Sequence, residues 1–328
     1  MNATERQEET DQTFQGSPAR VSVVVPSYNH GRFIESTLRS IIKQRIPPDE
    51  LLVIDDGSRD ESPSIIERTL NECHFPCELL ARDNRGLCAT LNEGLARTHG
   101  EYFAYLGSDD LWLPHFLQAR VGLLESRVDA VLAYGHAYYI DEQDRIVDST
   151  ADWAHYADGD ARKMLLQTTA PMSPTVLYRR GALEQQGWDE QIKLEDYDLY
   201  LRLSAEGPFA FDPEVLSAWR RHDSNVSWDQ TLMLREQLKA QREAALRFGF
   251  TDKQIEHLQR ATRFSRAEDF LRVGQKWQAL SLIMQNLRGV HSPRAATRIF
   301  LRLVIPNQVM RWRAHLRQRR AFERYGSL

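Results

Sequence analysis

Residues 102–112 read YFAYLGSDDLW. A mostly apolar run, Tyr102 to Leu106, stops at Gly107 and Ser108, and two adjacent carboxyl groups follow, Asp109 and Asp110. The end of a buried strand cannot hold two bare negative charges, so the pair calls for a positive species beside it. Two other apolar runs end in the same way. VSVVV (21–25) runs into Pro26-Ser27-Tyr28-Asn29, and LLVI (51–54) runs into Asp55-Asp56-Gly57-Ser58. Taken singly, each ending suits a turn or a helix cap. Taken together they suit a ligand site, because open α/β sheets bind ligands beyond the carboxyl ends of their strands. Further on, LEDYDLYLR sets Glu195, Asp196 and Asp198 at the start of an amphipathic segment, where acidic groups also suit the helix dipole.

These groups need elements to hold them. VSVVV is a short β-branched run, as expected of a strand buried on both faces. After it, Ile34, Leu38, Ile41 and Ile42 recur on one helical face. LLVI, CELLA (77–81), YFAYL (102–106) and AVLAY (130–134) continue the strands, with helices at about 60–71, at about 86–98 and from Pro114. Repeated β-α units imply an α/β fold with a doubly wound, mainly parallel sheet. The rhythm breaks near residue 135. LEDYDLYLRLSAEG (194–207) reads as a helix with Leu199, Leu201 and Leu203 inward, and the pattern is helical from about 229 onward. The expected division is a polar, disordered tail over 1–18, an α/β domain over 19–228 and a helical region over 229–328.

PSYN, IDDGSRDES, DNRGLCATLNEG, LGSDD and GWDE…LEDYDLYLR, in this order and spacing, resemble the family 2 glycosyltransferases, which have the GT-A fold. The resemblance covers about residues 20–225. It implies sugar transfer from a nucleotide-diphosphate donor, a UDP-sugar by preference, with inversion at the anomeric carbon. Pro26, Tyr28 and Asn29 then fall on the donor side, with the Tyr28 ring able to lie against a base. Asp55 and Asp56 could accept a base N–H, and the resemblance favours Asp56. Asn84, Arg85 and Gly86 follow a strand end, where Arg85 could reach phosphate and Gly86 allows close backbone approach.

A diphosphate and two carboxylates share a site only around a divalent cation, Mg²⁺ or Mn²⁺. Asp109 and Asp110 are thus the expected metal ligands, with Asp109 also on the donor. The family motif is Asp-x-Asp, and here Gly107 takes its first position. The resemblance adds His222, in AWRRHDSNVS, as a third ligand. Arg220 and Arg221 beside it could face diphosphate or solvent. It also makes Asp196 the general base that deprotonates an acceptor hydroxyl, with Trp188 and Glu195 on the acceptor side. Two readings stay open beside transfer. One is a pseudo-enzyme that binds nucleotide-sugar, given Gly107. The other is a nucleotidyltransferase, although PSYNHGR lacks the glycine-rich, basic phosphate loop that chemistry uses.

The bulk properties agree with a soluble globular chain: 328 residues, 42% hydrophobic, 27% charged, net charge −4. Three cysteines, Cys73, Cys77 and Cys88, suggest a reducing compartment. The first residues lack a signal peptide's basic and apolar regions, and no apolar run approaches the roughly 20 residues of a membrane span. The expected location is therefore cytoplasmic. One stretch departs from the average: residues 294–325 are strongly basic, with Glu323 the one acid. Two readings fit it. One is a helical cap or homo-oligomer contact with solvated arginines. The other is a basic helix on the inner face of the cell membrane, near a lipid-linked glycan acceptor. Nucleic-acid binding is not expected, because the α/β part has no matching basic stripe.

Overall fold

The computed structural model describes residues 21–223, 229–290 and 293–328; the expected tail over 1–18 lies outside them. The elements follow the order β1 (Val21–Ser27), α1 (Ile34–Ile42), β2 (Glu50–Asp55), α2 (Ser62–Leu70), β3 (Cys77–Ala81), α3 (Leu87–Arg97), β4 (Tyr102–Tyr105), β5 (Leu111–Trp112), α4 (Phe116–Ser126), β6 (Leu132–Ile140) and β7 (Ile146–Ser149). Then come α5 (Arg162–Leu166), β8 (Leu177–Arg179), α6 (Arg180–Gln186), α7 (Glu195–Glu206) and β9 (Phe209–Arg220). Five helices complete the chain: α8 (Gln230–Arg247), α9 (Asp252–Arg272), α10 (Lys276–Gln285), α11 (Pro293–Val304) and α12 (Asn307–Tyr325).

The strands form one sheet in the order β3-β2-β1-β4-β8-β6-β9-β5, with β7 paired to β6. The ladders β3-β2-β1-β4 are parallel, as the repeated β-α units require. β8 runs antiparallel between β4 and β6, while β6 and β9 are again parallel. The expected α/β architecture is therefore present, with an antiparallel portion where the sequence rhythm breaks. Strands β6 and β9 extend well past the apolar runs AVLAY and VLSAW that announce them.

β1 is buried on both faces because its side chains alternate between two cores. Val21, Val23 and Val25 pack with Ile34, Leu38 and Ile41 of α1 and with Phe116 and Leu117 of α4. Val24 faces the other layer, with Leu91 of α3 and with Leu199, Leu201 and Leu203 of α7. α8 adds Ala240, Ala244 and Ala245 to that second core, and Gln241 Nε2 donates to Leu166 O at 2.7 Å. α9 begins with a capping box between Thr251 and Gln254. Phe264, Phe270, Ile283 and Ile299 form a satellite core joining α9, α10 and α11. α12 contributes no buried residue. The chain then returns to the sheet, where Ile146 N–H donates to Gly326 O at 3.0 Å and Leu328 N–H to Asp144 O at 3.1 Å.

α3 lies tight against β1 because Gly94 has no side chain: a Cβ there would stand 2.6 Å from Val24 Cγ1. Gly94→Ala should destabilise the protein by about 1–3 kcal/mol, the usual scale of core overpacking. A lower urea midpoint with an unchanged slope would show it; an unchanged midpoint would mean that β1 and α3 separate freely.

Candidate active site

The strand order places a switch point between β1 and β4: the chain builds outward from β1 to β3, then returns to β4 on the other side. The β1–β4 ladder ends at Val24 and Tyr105, while β1 continues beside β2 to Ser27 and Asp55. Pro26 sits in this overhang. Leu106 N–H donates to Val24 O, so Pro26, two residues on, points the same way, toward the gap. Its missing N–H leaves no ladder bond unmade. Pro26 is buried in β1, so it shapes the crevice mouth and offers no surface to a donor.

Two loops close over this gap. Asn29 holds φ +55°, accepts Arg59 N–H on Oδ1 at 2.8 Å and donates its own N–H to Ser58 Oγ at 2.8 Å. This aims His30 across the crevice, where its Nδ1 lies 2.8 Å from Ser108 Oγ and 4.0 Å from Asp109 Oδ1. A third segment comes from β9. Antiparallel pairing of β5 with β9 sets Leu111 opposite Ala218, which carries Arg220 and His222 over the acidic loop. His222 Nε2 then stands 2.7 Å from Asp109 Oδ2. One ligand atom each from His30, Asp109 and His222 falls within 4.8 Å of the others. Two imidazoles and a carboxylate make a donor set suited to a divalent cation.

Asp110 is not in that trio. It is buried, and its Oδ1 accepts the Arg220 backbone N–H at 2.9 Å. Burial first, and the adjacent Asp109 charge second, push its carboxyl pKa well above the ordinary value. The tension expected at this strand end is thus resolved unequally: Asp109 faces the histidines, and Asp110 is driven toward neutrality in the protein interior. Of the two carboxylates, one expected on the metal and the other on metal or ribose, Asp109 is the one that stands with the histidines. His30, which the sequence reading passed over, stands in Asp110's place. Arg220, expected to face diphosphate or solvent, does not face solvent. It is buried, with Nε donating to Asp109 O at 2.7 Å and Nη1 to Asp141 O at 2.9 Å. Arg221 lies over the Tyr139 ring.

Asp196 enters from the opposite layer, at the first turn of α7. Tyr105, the last residue of β4, donates its O–H to Asp196 Oδ1 at 2.5 Å. Burial raises the Asp196 carboxyl from its ordinary 3.8 to about 6, with the Tyr105 hydrogen bond opposing the rise. Glu195 is pushed up to about 8, by burial and then by the Asp196 charge. The field of Asp196 also reaches Asp110 and helps to raise it, so the two acidic groups share one electrostatic site. Trp188 is only 3% exposed and packs on Phe103, Tyr105 and Tyr178. It stands as a core wall behind Asp196, the alternative to an acceptor-facing ring. Its indole N–H lies outside hydrogen-bonding geometry, yet its dipole helps hold the Asp196 carboxylate. Asp198 is occupied by Arg202 at 2.8 Å.

The donor-side expectations divide. Tyr28 is 47% exposed at the mouth, free for a flat ligand. Asp56 is engaged by the protein itself: it accepts Arg85 N–H at 2.9 Å, Gly86 N–H at 2.7 Å and Arg82 Nη1 at 2.5 Å. It therefore holds the 84–86 loop, with Gly86 at φ +90° opening α3. Asp55 Oδ2 accepts Ser58 N–H at 2.9 Å, while its Oδ1 is buried without a hydrogen-bond partner. Asn84 and Arg85 are exposed, and the Arg85 guanidinium lies 3.3 Å from Glu93.

Comparison with known proteins agrees with this arrangement. Residues 22–187 match the family described as Glycosyl transferase family 2. An uncharacterized glycosyltransferase of Nostoc sp. is 29% identical over 170 residues, 51% of this chain and 52% of that protein. The chondroitin synthase of Escherichia coli is 24% identical over 208 residues, 63% of this chain and 30% of that protein. The match thus spans about half the length of the first relative and less of the synthase. Among solved structures, S. aureus TarS 1–349 in complex with UDP-GlcNAc has a TM-score of 0.58 at 17% identity, covering 93% of this chain and 91% of that one. The mannosyltransferase PcManGT from Pyrobaculum calidifontis, in complex with GDP-Man and Mn²⁺, has a TM-score of 0.58 at 18% identity, covering 98% and 92%. These likenesses are of fold, the GT-A arrangement.

The His30–Asp109–His222 trio predicts a measurable cation affinity. Titration calorimetry with Mn²⁺ should show binding to the wild type, weakened at least about tenfold in Asp109→Ala and in His30→Ala, the scale seen when groups around a metal are removed. Equal Mn²⁺ affinity in all three proteins would remove the trio as a metal site.

Proposed function

The chain belongs to glycosyltransferase family 2, and on that premise we propose that it is an inverting transferase. It would move a sugar from a nucleotide-diphosphate donor, a UDP-sugar in our reading, to a hydroxyl of a glycan or glycolipid acceptor of the cell envelope. The observation that carries this reading is the cluster of His30, Asp109 and His222, with the Asp196 carboxyl near enough for its charge to act on Asp110.

The division of labour follows from the placement of these groups. Tyr28 covers one face of the base at the crevice mouth. Asp56, held in place by Arg82 and the 85–86 backbone, is the carboxylate we assign to a base N–H. Mn²⁺ or Mg²⁺ bound by Asp109, His222 and His30 would supply Lewis-acid stabilisation of the leaving diphosphate. Asp196 takes the proton of the acceptor hydroxyl as its oxygen bonds to the anomeric carbon, and the bond from that carbon to the diphosphate breaks on the opposite side. One displacement of this kind inverts the anomeric centre. Tyr105 fixes the Asp196 carboxylate through its hydrogen bond, and Trp188 excludes water behind it. Glu195, held protonated near neutral pH by burial, is a hydrogen-bond donor available to the acceptor.

The sign of the pH dependence follows from Asp196. Its folded pKa, about 6, lies above its ordinary 3.8, so the base is competent above about pH 6 and lost below it. The same shift makes the carboxylate a stability burden that grows as pH rises from about 4 to about 6. Asp196→Asn should therefore lower kcat by about 10²–10⁴, the usual contribution of a general base, leave donor binding nearly unchanged, and raise the unfolding midpoint at pH 8. Transfer assays with UDP- and GDP-sugars and Mn²⁺, run beside donor calorimetry, would test this. Transfer at the wild-type rate would exclude Asp196 as base, and no turnover of any donor by the wild type would favour a binding-only protein.

In wild type, kcat/KM should fall tenfold per pH unit below about pH 6. Tyr105→Phe should move that limb upward, because it removes a donor that stabilises the carboxylate. An unmoved limb would separate Tyr105 from the base.

A further inference from the structure

The α11–α12 pair carries a cationic cleft that sugar transfer does not use. Arg294, Arg298, Leu301, Arg302 and Ile305 follow one another on one side of α11 and its C-terminal extension, and Arg313 of α12 closes the space. The cleft holds about 540 Å³. Its positive charge is only partly met within the protein. Arg298 and Arg302 share a single buried carboxylate, Glu268, with Arg272 of α9, which also reaches Asp269. Arg294 and Arg313 add to the excess. Residues 294–325 contain nine arginines and one acid, Glu323.

The same two helices expose apolar side chains. Leu301 is 56% exposed, Val304 74% and Trp312 60%. Along all 19 residues of α12 no side chain is buried. Guanidiniums beside exposed aliphatic groups and an indole are the composition of a helix lying in a headgroup boundary, where Trp is favoured at the interface. No helix among the described residues is long and apolar enough to cross a membrane.

We propose that α11 and α12 dock this chain on an anionic phospholipid surface, lipid phosphates entering the arginine cleft while Leu301, Val304 and Trp312 enter the acyl boundary. The charge argues against a second copy as the occupant. A symmetric contact would bring this arginine-rich face against itself, with Glu323 the one acid between residues 294 and 325 to offset it. The exposed aliphatic side chains argue against nucleic acid, which offers Leu301 and Val304 no counterpart.

Flotation of the full chain with phosphatidylcholine vesicles, with and without phosphatidylglycerol, tests the proposal. The wild type should float only with the anionic vesicles, and less as salt rises. Arg294→Glu with Arg313→Glu should weaken recovery at least about tenfold, since each arginine near such a surface contributes severalfold in affinity. Neither residue pairs with Glu268, so the fold is spared. Val304→Ser with Trp312→Ser should remove the fraction that resists salt. Failure to float with anionic vesicles, or recovery unchanged in both variants, would overturn the proposal. So would RNA displacing the protein at concentrations that leave the vesicles' charge unscreened, or light scattering that shows dimers lost with Trp312→Ser. Asp109→Ala should float like the wild type, which keeps this result separate from the donor-site reading.

Discussion

Two neighbouring carboxyl groups cannot both remain ionised and unpaired at a buried strand end, and much of this architecture answers that constraint. Asp109 and Asp110 leave β4 together, but their surroundings divide them. Asp110 is folded inward onto the Arg220 backbone and pushed toward its neutral form. Asp109 turns outward between two imidazoles. A cation in the trio would change that balance, since a bound dication inverts the local preference for neutral carboxyls. β9 is therefore more than a sheet member. Its pairing with β5 delivers both the buried arginine that braces the acidic loop and the histidine that faces it.

Gly107 sharpens the same constraint. A Cβ at this position would lie 3.0 Å from Asp109 Oδ1 and 3.1 Å from Asp110 Oδ2. The space that the family's first aspartate would need is filled by the carboxylates that follow. The imidazole of His30 brings in a donor from another loop, which keeps three candidate ligands without crowding three carboxylates.

What could be read from the sequence was what is local or periodic. β1 to β4, their helices and the α7 segment follow from apolar spacing, and the strand-end residues follow from the rule for open sheets. The resemblance marked Asp109, His222 and Asp196; Asp109 and His222 stand side by side, and the Asp196 charge reaches Asp110. What could not be read depends on distant pairing. His30 meets Ser108 across 78 residues, and nothing in PSYNHGR distinguishes it from a loop histidine. The partners that hold Asp56, namely Arg82, Arg85 and Gly86, sit on a loop roughly 30 residues away. Trp188 fitted a sugar platform and a core position equally, because an aromatic beside a polar motif carries no mark of burial. Arg220 looked exposed for the same reason. The lengths of β6 and β9 were hidden because their outer halves carry polar and aromatic residues paired with each other, including a shifted register near Gly135 and His136.

The return of the chain to β7 has a mechanical consequence. α8 is cemented to the core through Gln241 and its alanines, and the last residues are stitched to the sheet edge through Gly326 and Leu328. The helices between are thus tethered at both ends, like a handle and unlike a trailing arm. A load on the outer helices reaches the sheet by two routes, and the β7 route leads through β6 directly to β9, the strand that carries His222. An orientation set at the outer helices is thus constrained from both ends of that region.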